Sequence, residues 1–176
     1  IFCVANNKRH KNLENLVEAY VLSEVKTPLV LLAPPSVPLI KLAEQHGKKH
    51  LLHFLRFVED QDLPVVYSCA KLFVYPSTYE GFGLPALEAL AVGVPIIAAN
   101  TASLPEVVGP FCVFVNPSDS SDLAKKISAV LKLLNSEKQL SEMVESGLER
   151  AAMFSWSKMA QQTLRVYESA LDIAQN

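Results

Sequence analysis

Glu80 and Glu88 bracket the segment Glu80-Gly81-Phe82-Gly83-Leu84-Pro85-Ala86-Leu87-Glu88, the stretch with the most chemical potential in the chain. Glu88 is the single polar residue in Leu84-Pro85-Ala86-Leu87-Glu88-Ala89-Leu90-Ala91-Val92. An apolar run of this length, with proline where a helix would begin, predicts a helix buried nearly all round. A carboxylate in that setting loses its hydration, at a cost on the order of several kcal/mol unless its oxygens are satisfied. The run supplies no cation. The partner of Glu88 is therefore a distant Lys or Arg, or the hydroxyl groups of a ligand.

The preceding loop, Ser77-Thr78-Tyr79-Glu80-Gly81-Phe82-Gly83, contains two glycines. Glycine lets a backbone approach a ligand closely and adopt positive φ, and the next helix offers N–H groups to an anion. A diphosphate could be held there with the help of a lysine and without a metal. Glu80 would then meet sugar hydroxyls, and Glu88, a turn inside the helix, would accept from a ribose. From these residues alone, a glycine turn leading into a core helix with Glu88 ion-paired stays equally open.

These residues need a scaffold, and the pattern along the chain supplies one. Short apolar strands are expected at Ile1–Ala5, Pro28–Ala33, His50–Phe57, Leu72–Tyr75, Pro95–Ala99 and Phe111–Val115. Leu13, Leu16, Val17 and Tyr20 fall at helical spacing behind Asn12, a candidate N-cap. Further helices are expected at Pro38–His46, Leu63–Ala70, Leu84–Val92 and Leu104–Val108. From Asp119 onward the pattern is helical, with Leu123, Ile127, Val130, Leu131 and Leu134 on one face, then Leu140, Met143, Val144 and Leu148, and a last long helix from Trp156 to Ala174. Strands apolar throughout rather than alternating indicate a parallel sheet covered on both faces. The expected fold is α/β: a Rossmann-like, doubly wound parallel sheet of about six strands with a helical C-terminal part. Ligands of such sheets sit beyond the carboxyl ends of the strands. The loops Asn6–Lys11 and Ser77–Gly83 both follow strands and should open onto one rim.

Composition narrows the function classes. The chain has 176 residues, half of them hydrophobic and 19% charged, which fits a single folded domain. A formal net charge of −2 argues against a nucleic-acid partner bound by bulk electrostatics. Cys3, Cys69 and Cys112 are odd in number, far apart and set in apolar stretches, so all three are expected to be buried reduced thiols of a cytoplasmic protein. No His/Cys/carboxylate group has metal-ligand spacing, and no metal or cofactor is expected. His10, His46, His50 and His53 read as structural or exposed. The turn after the first strand, Ala5-Asn6-Asn7-Lys8, lacks the glycines of a dinucleotide dehydrogenase, and no Walker-type loop is present. The chain opens at Ile1-Phe2-Cys3-Val4, already inside a strand, and the expectation is a domain of a longer polypeptide.

Residues 76–98 resemble the signature of the group 1 retaining glycosyltransferases (family 4), enzymes of the two-domain GT-B fold. Their pattern is matched by Pro76-Ser77, Glu80, Gly81 to Pro85, Glu88, Ala89, Ala91, Gly93, Pro95, Ile97 and Ala98. The likeness continues through Phe54-Leu55-Arg56-Phe57-Val58, Leu63-Pro64, Tyr67 to Ala70, Ser103 to Gly109 and Phe154-Ser155-Trp156. It implies a nucleotide-diphosphate sugar as substrate and residues 1–176 as the C-terminal donor domain, with the N-terminal acceptor domain outside this chain. Lys11 would contact the donor diphosphate, Glu80 the donor sugar and Glu88 the ribose. The backbone of Gly81, Phe82, Gly83 and Leu84 would cradle sugar and phosphate. The strand end at Arg56 to Val58 would lie near the base. Glu80 and Lys11 carry the catalytic expectation.

Two positions depart from the family. Where it carries Gly-Arg in the first loop this chain has Ala5-Asn6, so one cationic contact is missing beside Asn6 unless Lys8 or Arg9 substitutes; and Arg56 replaces a glycine, its side chain either supplying that charge or pointing to solvent. The resemblance leans toward GDP-mannose over UDP-sugars as donor. A lipid-linked acceptor would bring the cytoplasmic enzyme into peripheral contact with the membrane, and the isolated domain is expected to transfer nothing. The alternatives are a non-catalytic nucleotide-sugar-binding module and a nucleotide-sugar epimerase of similar fold.

Overall fold

A computed structural model describes residues 1–6, 8–110 and 112–174. Its strands are β1 (Phe2–Val4), β2 (Leu29–Leu32), β3 (Leu52–Leu55), β4 (Phe73–Tyr75), β5 (Ile96–Ala99) and β6 (Val113–Val115). All neighbouring pairs are parallel, in the order β3-β2-β1-β4-β5-β6. The expected strands are all present but shorter. The third begins late because Lys49–Leu51 winds a 3-10 turn, and Phe111 of the sixth expected strand lies outside the described residues.

Eight helices accompany them among the described residues: α1 (Leu13–Leu22), α2 (Val37–Gln45), α3 (Leu63–Ser68), α4 (Leu84–Ala91), α5 (Leu104–Val108), α6 (Ser120–Leu133), α7 (Glu137–Ala152) and α8 (Trp156–Ala174). Strand residues alternate between two cores, as a pleated sheet covered on both sides requires. Cys3, Leu29, Leu31 and Val74 pack beneath α1, α2 and α6. Phe2, Phe73, Tyr75 and Ile96 pack on the other side, beneath α3, α4 and α5. On α6 the expected stripe Leu123, Ile127, Val130 and Leu131, continued by Leu134, is buried. Helix α8 buries none of residues 156–172, and Trp156, Leu164, Val166, Tyr167 and Leu171 of its apolar set face outward.

Three expectations are corrected. Asn12 does stand ahead of α1, but in a left-handed conformation (φ 57°) and without capping it. Its side-chain amide donates instead to the carbonyls of Pro76 (3.0 Å) and Pro117 (2.7 Å), tying the start of α1 to two other loops. Cys3 and Cys112 are buried thiols, whereas Cys69, just past α3, is exposed. Helix α4 is not buried all round. Ala86, Ala89 and Leu90 face inward, while Leu84, Glu88 and Ala91, spaced along one stripe, are exposed.

The sheet order places β1 beside β4 although two strands, β2 and β3, lie between them in sequence. The chain leaves β1 toward β2 and leaves β4 toward β5, so the two connections diverge and open a crevice above their carboxyl ends. Open α/β sheets bind ligands at this switch point.

Candidate active site at the strand switch point

Beyond β1, a 3-10 turn at Arg9–Lys11 carries the chain into α1. Beyond β4 runs the loop 76–83. The two are pinned together where the Thr78 amide donates to the His10 carbonyl (2.8 Å), alongside the Asn12 amide on Pro76. This pinning brings Lys11 against Glu80, Nζ to Oε1 at 2.6 Å, with only 14% and 11% of their side chains exposed. The hydroxyl of Tyr75, the last residue of β4, sits between them. It accepts from Lys11 Nζ (2.9 Å) and donates to Glu80 Oε1 (2.7 Å). Lys11 thus also lies 5.2 Å from the Tyr75 ring centroid.

The electrostatics follow from this closed triangle. Burial works to raise the Glu80 pKa, but hydrogen bonds from Lys11 and Tyr75, the nearby Ser77 hydroxyl and the charge of Lys11 outweigh it and hold the carboxyl below its ordinary value. Burial pushes the Tyr75 phenol far up, and its bond to Glu80 pushes it further, so it is a fixed donor at any physiological pH. Ser77 Oγ is fully buried and has no hydrogen-bond partner of normal geometry among the described residues, though it lies close enough to favour the ionised forms of both neighbours. A buried hydroxyl left this way is uncommon and costs free energy.

The glycine loop is held from behind. Ser103 Oγ reaches the carbonyls of Glu80 (3.0 Å) and Phe82 (2.9 Å), and Thr101 Oγ1 donates to the Ser77 carbonyl (3.2 Å). Between these two residues Ala102 takes φ 50°, a left-handed conformation seldom adopted by a residue with a Cβ. Gly83 precedes α4 with φ 99°, and a Cβ there would stand 2.6 Å from Leu104 Cδ2. That position requires glycine for both reasons. Phe82, exposed on one side, meets Phe154 edge to face at 5.7 Å.

The remaining expected residues distribute around the rim. Glu88 is exposed rather than stranded in apolar surroundings, and its Oε2 accepts from the Tyr67 hydroxyl (2.8 Å). The expected charge problem does not arise, because Ala86, Ala89 and Leu90 take the inward side of α4 and Glu88 lies on its open stripe with Leu84 and Ala91. Burial and this bond drive the Tyr67 phenol far upward. Asn6 closes a small turn by accepting from the Lys8 amide (3.1 Å). With Lys8, Arg9, Asn12, Ser36 and Leu39 it lines a cleft of about 300 Å³, to which neither Lys11 nor Glu80 contributes. Arg9 is exposed there without an ion pair among the described residues. Arg56, exposed, and Val58, half-buried, follow β3, two strands from β1 in the sheet. Leu84 is 43% exposed beside Glu88.

Sequence reasoning named Lys11 and Glu80 but not Tyr75, Ser77, Ser103 or Tyr67 as parts of the same assembly. The one available signal for Tyr75 was a hydroxyl-bearing ring closing an otherwise apolar strand immediately before the glycine loop. No group of three His, Cys, Asp or Glu residues that could hold a metal occurs among the described residues, and none of their helices is long and apolar enough to cross a membrane.

Residues 1–147 match the profile of the family described as glycosyl transferases group 1. The chain is 37% identical over 165 residues to the O-antigen chain mannosyltransferase B of Escherichia coli, covering 90% of this chain and 42% of that protein. It is 39% identical over 153 residues to the MMP alpha-(1->4)-mannosyltransferase of Mycolicibacterium hassiacum, covering 84% and 36%. Among solved structures, sucrose-phosphate synthase from Thermosynechococcus elongatus superposes with a TM-score of 0.84 at 27% identity, over 98% of this chain and 46% of that one. The chain thus spans less than half the length of each of these relatives.

Proposed function

The chain belongs to the group 1 glycosyl transferases, and from that membership we propose that it is the donor-binding half of a retaining hexosyltransferase, acting on a nucleotide-diphosphate sugar. Its Rossmann-like sheet is one half of a GT-B architecture. The observation that carries the reading is the Lys11–Tyr75–Glu80 cluster, set at the strand switch point beside a glycine loop and the N terminus of α4. In this reading Lys11, assisted by Arg9 and by the N–H groups opening α4, stabilises the charge that develops on the diphosphate as the glycosidic bond breaks. Glu80 faces the sugar undergoing transfer. Glu88, held by Tyr67, accepts from the ribose hydroxyls, and the backbone of Gly81 to Leu84 lies along the sugar and phosphates. Arg56 and Val58 border the base.

GDP-mannose is the proposed donor, supported by two relatives that are mannosyltransferases. The acceptor is held by a further domain, with the reaction at the cytoplasmic side and no metal required. Asn6, standing where the family carries a cation, favours one second reading: a module that binds the nucleotide sugar without turnover.

The test uses the polypeptide that carries both domains, with GDP-mannose as donor and GDP release as readout. Lys11→Ala and Glu80→Gln should each lower kcat by about two to three orders of magnitude, the scale of losing one preorganised charge-stabilising group. Transfer at the wild-type rate in either variant would refute the catalytic assignment.

A further inference from the structure

Lys11 and Glu80 would meet different parts of one donor, yet in this structure they are bonded to each other. A lysine ammonium has three donors, and Lys11 spends one on Tyr75 and one on Glu80, leaving a third. Once that ammonium is drawn toward a diphosphate, Glu80 loses the strongest of its supports. What then keeps its carboxylate in place must come from the protein behind it.

Tyr75 is built for that task. Its side chain is 1% exposed, and its ring stacks on Phe73 with centroids 5.7 Å apart at 23°. Phe73 is in turn wedged against Phe2 (5.9 Å) and Tyr67 (5.4 Å). The phenol therefore cannot swing with the ligand as a lysine side chain can. Its hydroxyl contacts both charged groups at once and belongs to the sheet, whereas Lys11 ends a short 3-10 turn and Glu80 lies in a loop.

We propose that Tyr75 is a positioning residue of the transfer reaction, fixing the Glu80 carboxylate toward the sugar while Lys11 turns to the diphosphate. The proposal rests on the glycosyl-transfer reading above and adds a residue to it. Tyr75 touches neither substrate. It acts through Glu80, whose carboxylate it fixes in direction by donating to Oε1, and the transition-state contact depends on that direction. The titratable groups around the hydroxyl are Lys11 and Glu80 in front, Cys3 of β1 behind, and Tyr67 of α3 to the side with Glu88 beyond it.

Tyr75→Phe removes the hydroxyl and keeps the stacked ring. In the two-domain polypeptide with GDP-mannose, kcat should fall about tenfold, one hydrogen bond's worth, with KM for the donor changed less than about threefold. The acid limb of the kcat profile should move to higher pH, because the carboxylate has lost a donor that favours its ionised form. A carboxyl-carbon NMR titration should show Glu80 itself moving the same way, a readout that does not depend on turnover. Unchanged kcat and pH profile with a lowered melting temperature would overturn the proposal, as would a raised KM at constant kcat.

Glu80→Gln in the same preparation separates the two levels. If it transfers at the wild-type rate, the glycosyl-transfer reading of this site fails; if it is inactive while Tyr75→Phe is wild-type in rate and profile, only the role of Tyr75 fails. Should Tyr75→Phe not fold, 3-fluorotyrosine at position 75 keeps the shape and strengthens the donor. The acid limb should then move to lower pH, and an unmoved limb overturns the proposal.

Discussion

Replacing Gly83 with alanine tests whether the glycine loop is held by the packing described. Two separate costs arise. The backbone there has φ 99°, where a residue with a Cβ pays about 1–2 kcal/mol relative to glycine. The new Cβ would also lie 2.6 Å from Leu104 Cδ2, closer than real carbon contacts come. A side-chain end can often move away, but Leu104 is fully buried, so relief requires repacking the core under α4 at about 1–3 kcal/mol. The sum of about 2–5 kcal/mol corresponds to a melting temperature roughly 4–20 °C lower for a chain of this size. Gly81 is the internal control, two residues away in the same loop. A Cβ there meets nothing within 4 Å and its φ is not positive, so Gly81→Ala should stay within about 0.5 kcal/mol of wild type. Thermal unfolding followed by circular dichroism, with both variants side by side, decides the matter. A Gly83→Ala protein melting within a degree of wild type would refute the reasoning, and so would an equal loss at Gly81.

Two further outcomes follow from burial and charge. Burial pushes the Cys3 and Cys112 thiols up to about 12 and hides them, while Cys69 is exposed, so native protein at pH 8 should react with Ellman's reagent at a single thiol and at all three once unfolded; rapid labelling of two or more in the native state would contradict the burial pattern. The Glu80 carboxyl binds its proton less tightly folded than unfolded, so its stabilisation is complete above the ordinary value of 4.5 and drains away as pH falls below it. Urea midpoints measured downward from pH 6 should therefore drop faster for wild type than for Glu80→Gln below that value, and parallel slopes would show that Lys11 and Tyr75 do not hold the carboxylate ionised.

The six-strand parallel fold was legible because β-branched apolar runs such as Pro95–Ala99 and helical stripes such as Leu123–Leu134 each register with a local period. Residue type and spacing alone singled out Glu80, Glu88 and the two loop glycines, and the family resemblance singled out Lys11; the structure brings Lys11 and Glu80 together. The environment of Glu88 was not. Alanine and leucine at 84–92 fit an inward or an outward side equally, and only packing against α7 and α5 on one side decides which stripe of α4 stays open. Asn12 shows the same limit, because its amide serves two carbonyls more than 60 residues distant rather than its own helix.

What residue order determined by itself was the set of elements, the glycine loop and the charged groups that could act on a phosphorylated sugar. Tertiary structure alone decided that β1 and β4 lie side by side, that Lys11 closes on Glu80, and that the Tyr75 hydroxyl links them. The physical reason is range. Periodicity and turn chemistry act over a few residues, whereas a 2.6 Å ion pair between positions 11 and 80 exists only because a crossover in the sheet brings two distant strand ends together.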